Sequence, residues 1–234
     1  MERDDDPTAM GRSMEMYMVP LVLAYGVRPE LTVIARQPFM RREMGMPTGR
    51  VEDTGRGDLA VITKYRALRV NHPEYIIGMA PTLGLELPTG DDDFGSDTWD
   101  ILAGVYMSGR RGPLGADLNL EYKLNGAEGR NGDRQGDEFT VTAAVAYQFS
   151  LNNRATMSLW PVLEISYGHA SADRRDGQPV RDSGENFLLV APGLKYAYQS
   201  FVLELLIQLP VDQSQNGDQL KRGTGSLVGI RYMF

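Results

Sequence analysis

Apolar residues recur at every second position in eleven runs along the chain, and clusters of turn-forming residues separate the runs. A period of two is that of a β-strand with one apolar and one polar face. The predicted strands lie at about 14–26, 31–40, 57–68, 75–87, 97–109, 115–124, 137–149, 155–168, 185–198, 201–211 and 224–234. Their connections alternate in length. Short ones follow Tyr25, Leu68, Arg110, Phe149 and Ala197, and long ones rich in Gly, Asp and Arg span Arg41 to Gly55, Asp91 to Ser96, Gly126 to Gly136, His169 to Gly184 and Asp212 to Gly223. All-short turns at one end and long loops at the other predict an antiparallel up-and-down barrel. A β-sandwich would scatter its long connections over both ends.

The two faces of the runs say which kind of barrel. One parity carries Tyr17, Val19, Leu21, Leu23 and Tyr25, then Ile77, Leu83 and Leu85, then Leu159, Leu163, Ile165 and Tyr167, then Phe201 through Leu209 at alternate positions. The other carries Arg36, Lys64, Arg66, Glu86, Asp100, Glu121, Lys123, Glu164, Lys195, Glu204 and Arg231, with Gly78, Gly84, Gly104, Ala144 and Gly193 between them. A small soluble barrel fills its interior with apolar side chains, so charges on one parity in strand after strand predict the reverse: a lipid-facing exterior and a polar lumen. Tyr, Trp and Phe fall mostly at strand ends, where aromatic girdles meet the membrane interfaces.

The stretch Leu227 to Phe234 ends the chain on an alternating strand with Val228, Ile230, Tyr232 and Phe234 on one face. It resembles the closing strand of bacterial outer-membrane barrels, whose terminal aromatic is read by the barrel assembly machinery. Tyr232 and Phe234 are the expected insertion signal. Changing Phe234 to Ala, or removing it, is accordingly expected to lower the yield of heat-modifiable barrel in the outer membrane, and unaltered insertion would count against that role. Eleven strands are one short of the even number of a bacterial single-chain barrel. With the last strand ending in the periplasm, the first descends, so residues 1–13 are expected to be the remnant of an extracellular loop and 14–234 the barrel. The ascending strand before them, and the export signal such a protein needs, are expected upstream. The full protein is expected to be a monomer of twelve strands surrounded by outer-membrane lipid.

Composition changes this picture little. No window of the 234 residues offers the roughly 20 successive apolar positions of a spanning helix, and a mean hydropathy of -0.31 is what period-two strands average to. Zero Cys excludes thiolate chemistry, and two His leave little for a metal centre. A net charge of -7 argues against a nucleic-acid partner. Neither a metal nor a cofactor is expected.

Several stretches are similar to the outer-membrane family named for the meta-pathway of phenol degradation. They are Gly57-Asp58-Leu59 with Lys64-Tyr65-Arg66, Leu87-Pro88-Thr89-Gly90-Asp91 with Trp99-Asp100, Pro192-Gly193-Leu194-Lys195-Tyr196, Gln208-Leu209-Pro210-Val211 with Asn216-Gly217, and the final strand. Their order and spacing carry the resemblance. It implies an outer-membrane channel or transporter in a Gram-negative bacterium, for a small aromatic or hydrophobic solute, and supplies no catalytic residue.

Three local readings stand beside the channel. The lumen charges either form a basic stripe (Lys64, Arg66, Arg231) facing an acidic one (Glu86, Asp100, Glu121, Glu164), or pair among themselves. His169 and Ser171 share the outward parity, with Asn186 on the next strand, an arrangement that resembles outer-membrane acyl hydrolases of the phospholipase or lipid A deacylase type. However, Ala172 and Asp173 stand where those enzymes usually have Asn followed by Gly or Ala. Asp91, Asp92, Asp93 and Asp97 match no calcium-loop spacing and read as a solvated loop, and His72 beside Pro73 as a surface turn residue. A structural barrel that neither conducts nor catalyses is the remaining alternative.

Overall fold

In the computed structural model, residues 2–3, 11–126, 132–152 and 156–234 are described. Parts of three expected segments, the stretch 1–13, the loop 126–136 and the turn after Phe149, therefore lie outside the described residues. Eleven long strands form a single antiparallel meander: β1 (Ser13–Arg28), β2 (Leu31–Met46), β3 (Leu59–Tyr65), β4 (Tyr75–Leu87), β5 (Asp100–Arg111), β6 (Leu114–Leu124), β7 (Glu138–Tyr147), β8 (Met157–Ala170), β9 (Glu185–Tyr198), β10 (Phe201–Gln215) and β11 (Gly225–Tyr232). Each pairs with its neighbours in chain order, and no helix occurs among the described residues. The turns β1–β2, β5–β6 and β9–β10 are two residues long, at Pro29-Glu30, Gly112-Pro113 and Gln199-Ser200. All three lie at one end, as the alternation of connection lengths predicts.

The sheet curls until its two edges approach. Arg12 donates to the carbonyl of Asp218 at 3.0 Å at the loop end, and Arg231 of β11 lines the same cavity as Pro29 and Glu30 at the turn end. Among the described residues, β1 and β11 are not paired with each other, and on the outer edge of β1 Glu2 and Arg3 pair with Glu15 and Met14.

The exterior follows the predicted parity. Leu21, Leu23, Leu83, Leu163, Ile165, Leu203, Leu205, Ile207 and Ile230 are all exposed on the outer face. Buried apolar residues among those described are only Ala60, Ala80, Leu189, Ala191 and Val202, so the sheet has no apolar core of its own. An exposed apolar surface of this extent is untenable in water and is what the hydrocarbon of a bilayer covers.

The segment Arg41 to Gly55, expected as an irregular long loop, is instead a hairpin. β2 continues to Met46, turns at Pro47-Thr48, and Gly49–Arg56 pairs back on it from Met46↔Gly49 to Phe39↔Arg56. Its pairing rests on charge rather than on apolar alternation: Arg42 meets Asp53 at 3.1 Å, Arg41 meets Glu52 at 3.1 Å, and Arg50 pairs with Glu43. Opposite charges across a ladder stabilise a strand pair beyond the membrane, where no apolar face is needed. Likewise β10 runs to Gln215, four residues past the expected 211, and Leu68–Asn71 pairs with β4 after a break at Arg66-Ala67, which shortens the turn around His72.

Candidate functional site

Inside the curl lie two cavities, one above the other. The upper, of about 190 Å³, is bounded by Arg36, Thr82, Leu102, Tyr106, Glu121, Lys123, Glu138 and Thr140. The lower, of about 580 Å³, reaches from Thr32, Lys64 and Arg66 across Ala80, Ser108, Asp117 and Asn119 to Ala144, Glu164 and Arg231. The lower cavity thus touches strands on opposite sides of the barrel. Of the eleven residues predicted to point inward as charges, seven line one cavity or the other, and Glu86, Asp100 and Glu204 pair directly with residues that do.

The register explains how the upper charges come together. Arg36, Ala60, Glu86 and Asp100 stand side by side across β2 to β5. Ala60 is fully buried because its methyl group alone lies beneath the Arg36–Glu86 pair, whose charges meet at 3.7 Å above it. From β6, Lys123 reaches back over β5 and places its ammonium 2.5 Å from Glu86 and 3.2 Å from Asp100. Asp100 has no exposed surface, and it accepts further hydrogen bonds from Thr98 Oγ1 and the Gly126 N–H, both at 2.9 Å. Glu138 stands opposite Lys123 in the ladder. Near the loops, Arg222 pairs with Glu185 and lies 4.0 Å from the Phe187 ring centre.

Further down, Arg66 pairs with Glu30 at 3.7 Å and Arg231 with Glu204 at 3.6 Å. Lys64 and Lys195 have turned to aromatic rings instead, Lys64 to Tyr106 at 4.5 Å and Lys195 to Trp160 at 5.1 Å. Arg110 is a second cation over the Trp160 ring, at 5.0 Å, and bonds Gln148. Two segregated stripes of opposite sign are therefore not what the lumen holds: its charges interleave as pairs and cation–ring contacts. Tyr106, Trp160 and Glu138 were not singled out by sequence, although Tyr106 shares the parity of Asp100 and Gly104, and Trp160 that of Glu164.

The loop 88–98 is tied down at the upper end by Asp58, in the break between the hairpin and β3. Its buried carboxylate accepts from the Thr89, Gly90 and Ser96 N–H groups at 3.0, 2.7 and 2.6 Å and from Ser96 Oγ at 2.9 Å. Asp91 is fastened by the Arg56 N–H at 2.8 Å and by its guanidinium at 3.2 Å, which together hold its carboxyl below the usual carboxylate range. Among the described residues no three His, Cys, Asp or Glu side chains gather as a metal-binding group.

His169 and Asn186 face each other across β8 and β9, with Nδ1 and Oδ1 2.7 Å apart, and Tyr167 donates to the same oxygen at 3.2 Å. Ser171 lies past the end of β8, where its N–H donates to the Asp137 carbonyl at 2.9 Å. It borders a small cleft with Arg134, Gly136 and Arg174, and its hydroxyl makes no hydrogen bond to His169 among the described residues. The structure thus joins His169, Asn186 and Tyr167 and places Ser171 outside that group.

Residues 19–217 match the model of a family described as "Putative MetA-pathway of phenol degradation". Among solved structures, the chain is similar to a crystal structure of an outer membrane channel from Pseudomonas putida F1, at 16% sequence identity and a TM-score of 0.67, over 94% of this chain and 83% of that one. A search of curated proteins found no match.

Proposed function

The chain belongs to the phenol-degradation family, whose model covers most of its length, and from that premise we propose that it is an outer-membrane channel for small aromatic or hydrophobic solutes. One observation carries the reading: an apolar exterior encloses a polar interior holding two stacked cavities that together reach from the short-turn end toward the loops. The barrel fold shared with the Pseudomonas channel supports it. Strand number sets the width. About eight strands leave an interior filled by side chains, about sixteen leave an open aqueous pore, and a barrel between them suits a narrow path.

The lumen side chains Arg36, Lys64, Arg66, Glu86, Asp100, Glu121, Lys123, Glu164, Lys195, Glu204 and Arg231 are, in this reading, the selectivity lining. Because most are paired, they order the water of the passage without giving it a large net field.

The reading is tested with the full-length protein in planar bilayers and in liposomes. Stepwise unitary currents, and uptake of aromatic acids or hydrocarbons faster than in protein-free vesicles, are the expected results. Silence in both assays from a correctly folded barrel leaves the structural reading in front.

A further inference from the structure

We propose that Tyr106 is the gate of this lumen, a single side chain that divides the upper cavity from the lower. The inference rests on the channel reading and adds the place of its constriction. Among the described residues, Tyr106 is the one that lines both cavities. It lies at the middle of β5 and points inward with Asp100 and Gly104.

The wall around it is thin. In the row that crosses the sheet at its level stand Ala80, Asn119, Thr142 and Ser166, with the buried Leu189 next, none of which approaches the length of a tyrosine. One pair of residues up β5, Gly104 cannot accept a side chain at all, since a Cβ there would lie 2.8 Å from the Leu120 carbonyl and 2.9 Å from Thr82 Oγ1. A bulky ring set among such neighbours is the natural narrowing of the passage.

Two contacts of opposite charge hold the ring. Its hydroxyl donates to the Glu121 carboxylate, and the Lys64 ammonium sits 4.5 Å from the ring centre, reaching over β4 from β3. The carboxylate fixes the far end of the side chain through a charge-assisted hydrogen bond, and the cation fixes its face. Turning the ring away breaks both contacts at once, so the side chain has a defined closed position. A solute entering from either cavity meets this ring first, and passes only by displacing it.

The chain contains no cysteine, so single introduced thiols report on each cavity without background. Thr140→Cys places one in the upper cavity and Ala144→Cys one in the lower, both on β7. A charged, membrane-impermeant thiosulfonate is added to intact porin-deficient cells carrying the full-length protein, and labelling rates are measured. T140C is expected to react promptly, whereas A144C should react about tenfold more slowly while Tyr106 is present and catch up when Y106A is added. Y106F, which retains the ring, should keep A144C slow. The wild-type comparison of T140C with A144C needs no Tyr106 variant to fold, and equal rates there would overturn the gate. Unitary currents separate the two readings: current with equal labelling sinks the gate and leaves the channel. Absent current with the labelling difference retained sinks the channel and leaves Tyr106 as the partition. In the conducting case, Y106A should raise unitary conductance by about twofold or more.

Discussion

Leu163→Arg is expected to destabilise the folded barrel by about 2–4 kcal/mol, while Glu164→Arg, one residue along, leaves it nearly intact and mainly alters what passes. Leu163 lies at the centre of β8, between Val145 of β7 and Pro192 of β9, and its side chain is 44% exposed on the outer face. In a bilayer that exposure is contact with hydrocarbon, and an arginine there must carry its charge to the midplane or distort the lipid around it. Glu164 projects the other way and lines the lower cavity, where it is 3.4 Å from Ser166 Oγ. A guanidinium in its place meets water. Urea titration of the protein refolded in lipid vesicles, read as the fraction that stays heat-modifiable, measures both costs. Comparable losses at the two positions would show that the exposed apolar face is not the lipid face.

The strands were readable because a membrane wall imposes two solvents on every one of them. Each residue between Leu159 and Tyr167 is either in lipid or in the lumen, so the alternation persists without the interruptions a packed core introduces. That signal fades where the strands leave the bilayer. Arg41 to Gly55 keeps pairing as a hairpin, but its partners are Arg42 with Asp53 and Arg41 with Glu52. A search for apolar periodicity reads such a segment as loop. Asp58 shows a different limit: Gly57-Asp58-Leu59 and Leu87-Pro88-Thr89-Gly90-Asp91 stood out as family stretches, yet only the fold shows that the first supplies the carboxylate and the second the N–H groups it binds.

For the lumen, parity gave the inward charges but not their partners. Arg36 finds Glu86 two strands away, and Lys123 finds the same glutamate from the other side. These are contacts of register, which a single sequence does not specify. The inward aromatic residues are a further limit. Tyrosine and tryptophan at strand ends suit the membrane interfaces, and Tyr167 on β8 is exposed on the outer face as expected. Trp160, by contrast, carries the inward parity and lies under Arg110 and Lys195. Its parity with Glu164 marks it as inward, as the parity of Tyr106 with Asp100 and Gly104 does.

Lys123→Met is the lumen substitution expected to cost most, about 3–5 kcal/mol, because it breaks a buried ion cluster by removing the cation alone. Lys123 is the one cation within pairing distance of Asp100 among the described residues, and that carboxylate is wholly buried. Glu86 is nearly as enclosed and would keep only Arg36, at 3.7 Å, while Glu138 faces the vacated position from β7. Methionine fills the space of the lysine stem, so the loss is electrostatic rather than a cavity effect. The control follows from the same reasoning: neutralising the acids as well, in E86Q/D100N/K123M, removes the uncompensated charge and should recover most of the stability lost in K123M. Unfolding in urea at neutral pH, in vesicles of fixed composition, compares the three proteins. If K123M unfolds at the wild-type urea concentration, the cluster is a solvated array of charges and not the element that fixes β4, β5 and β6 against one another at the upper end of the lumen.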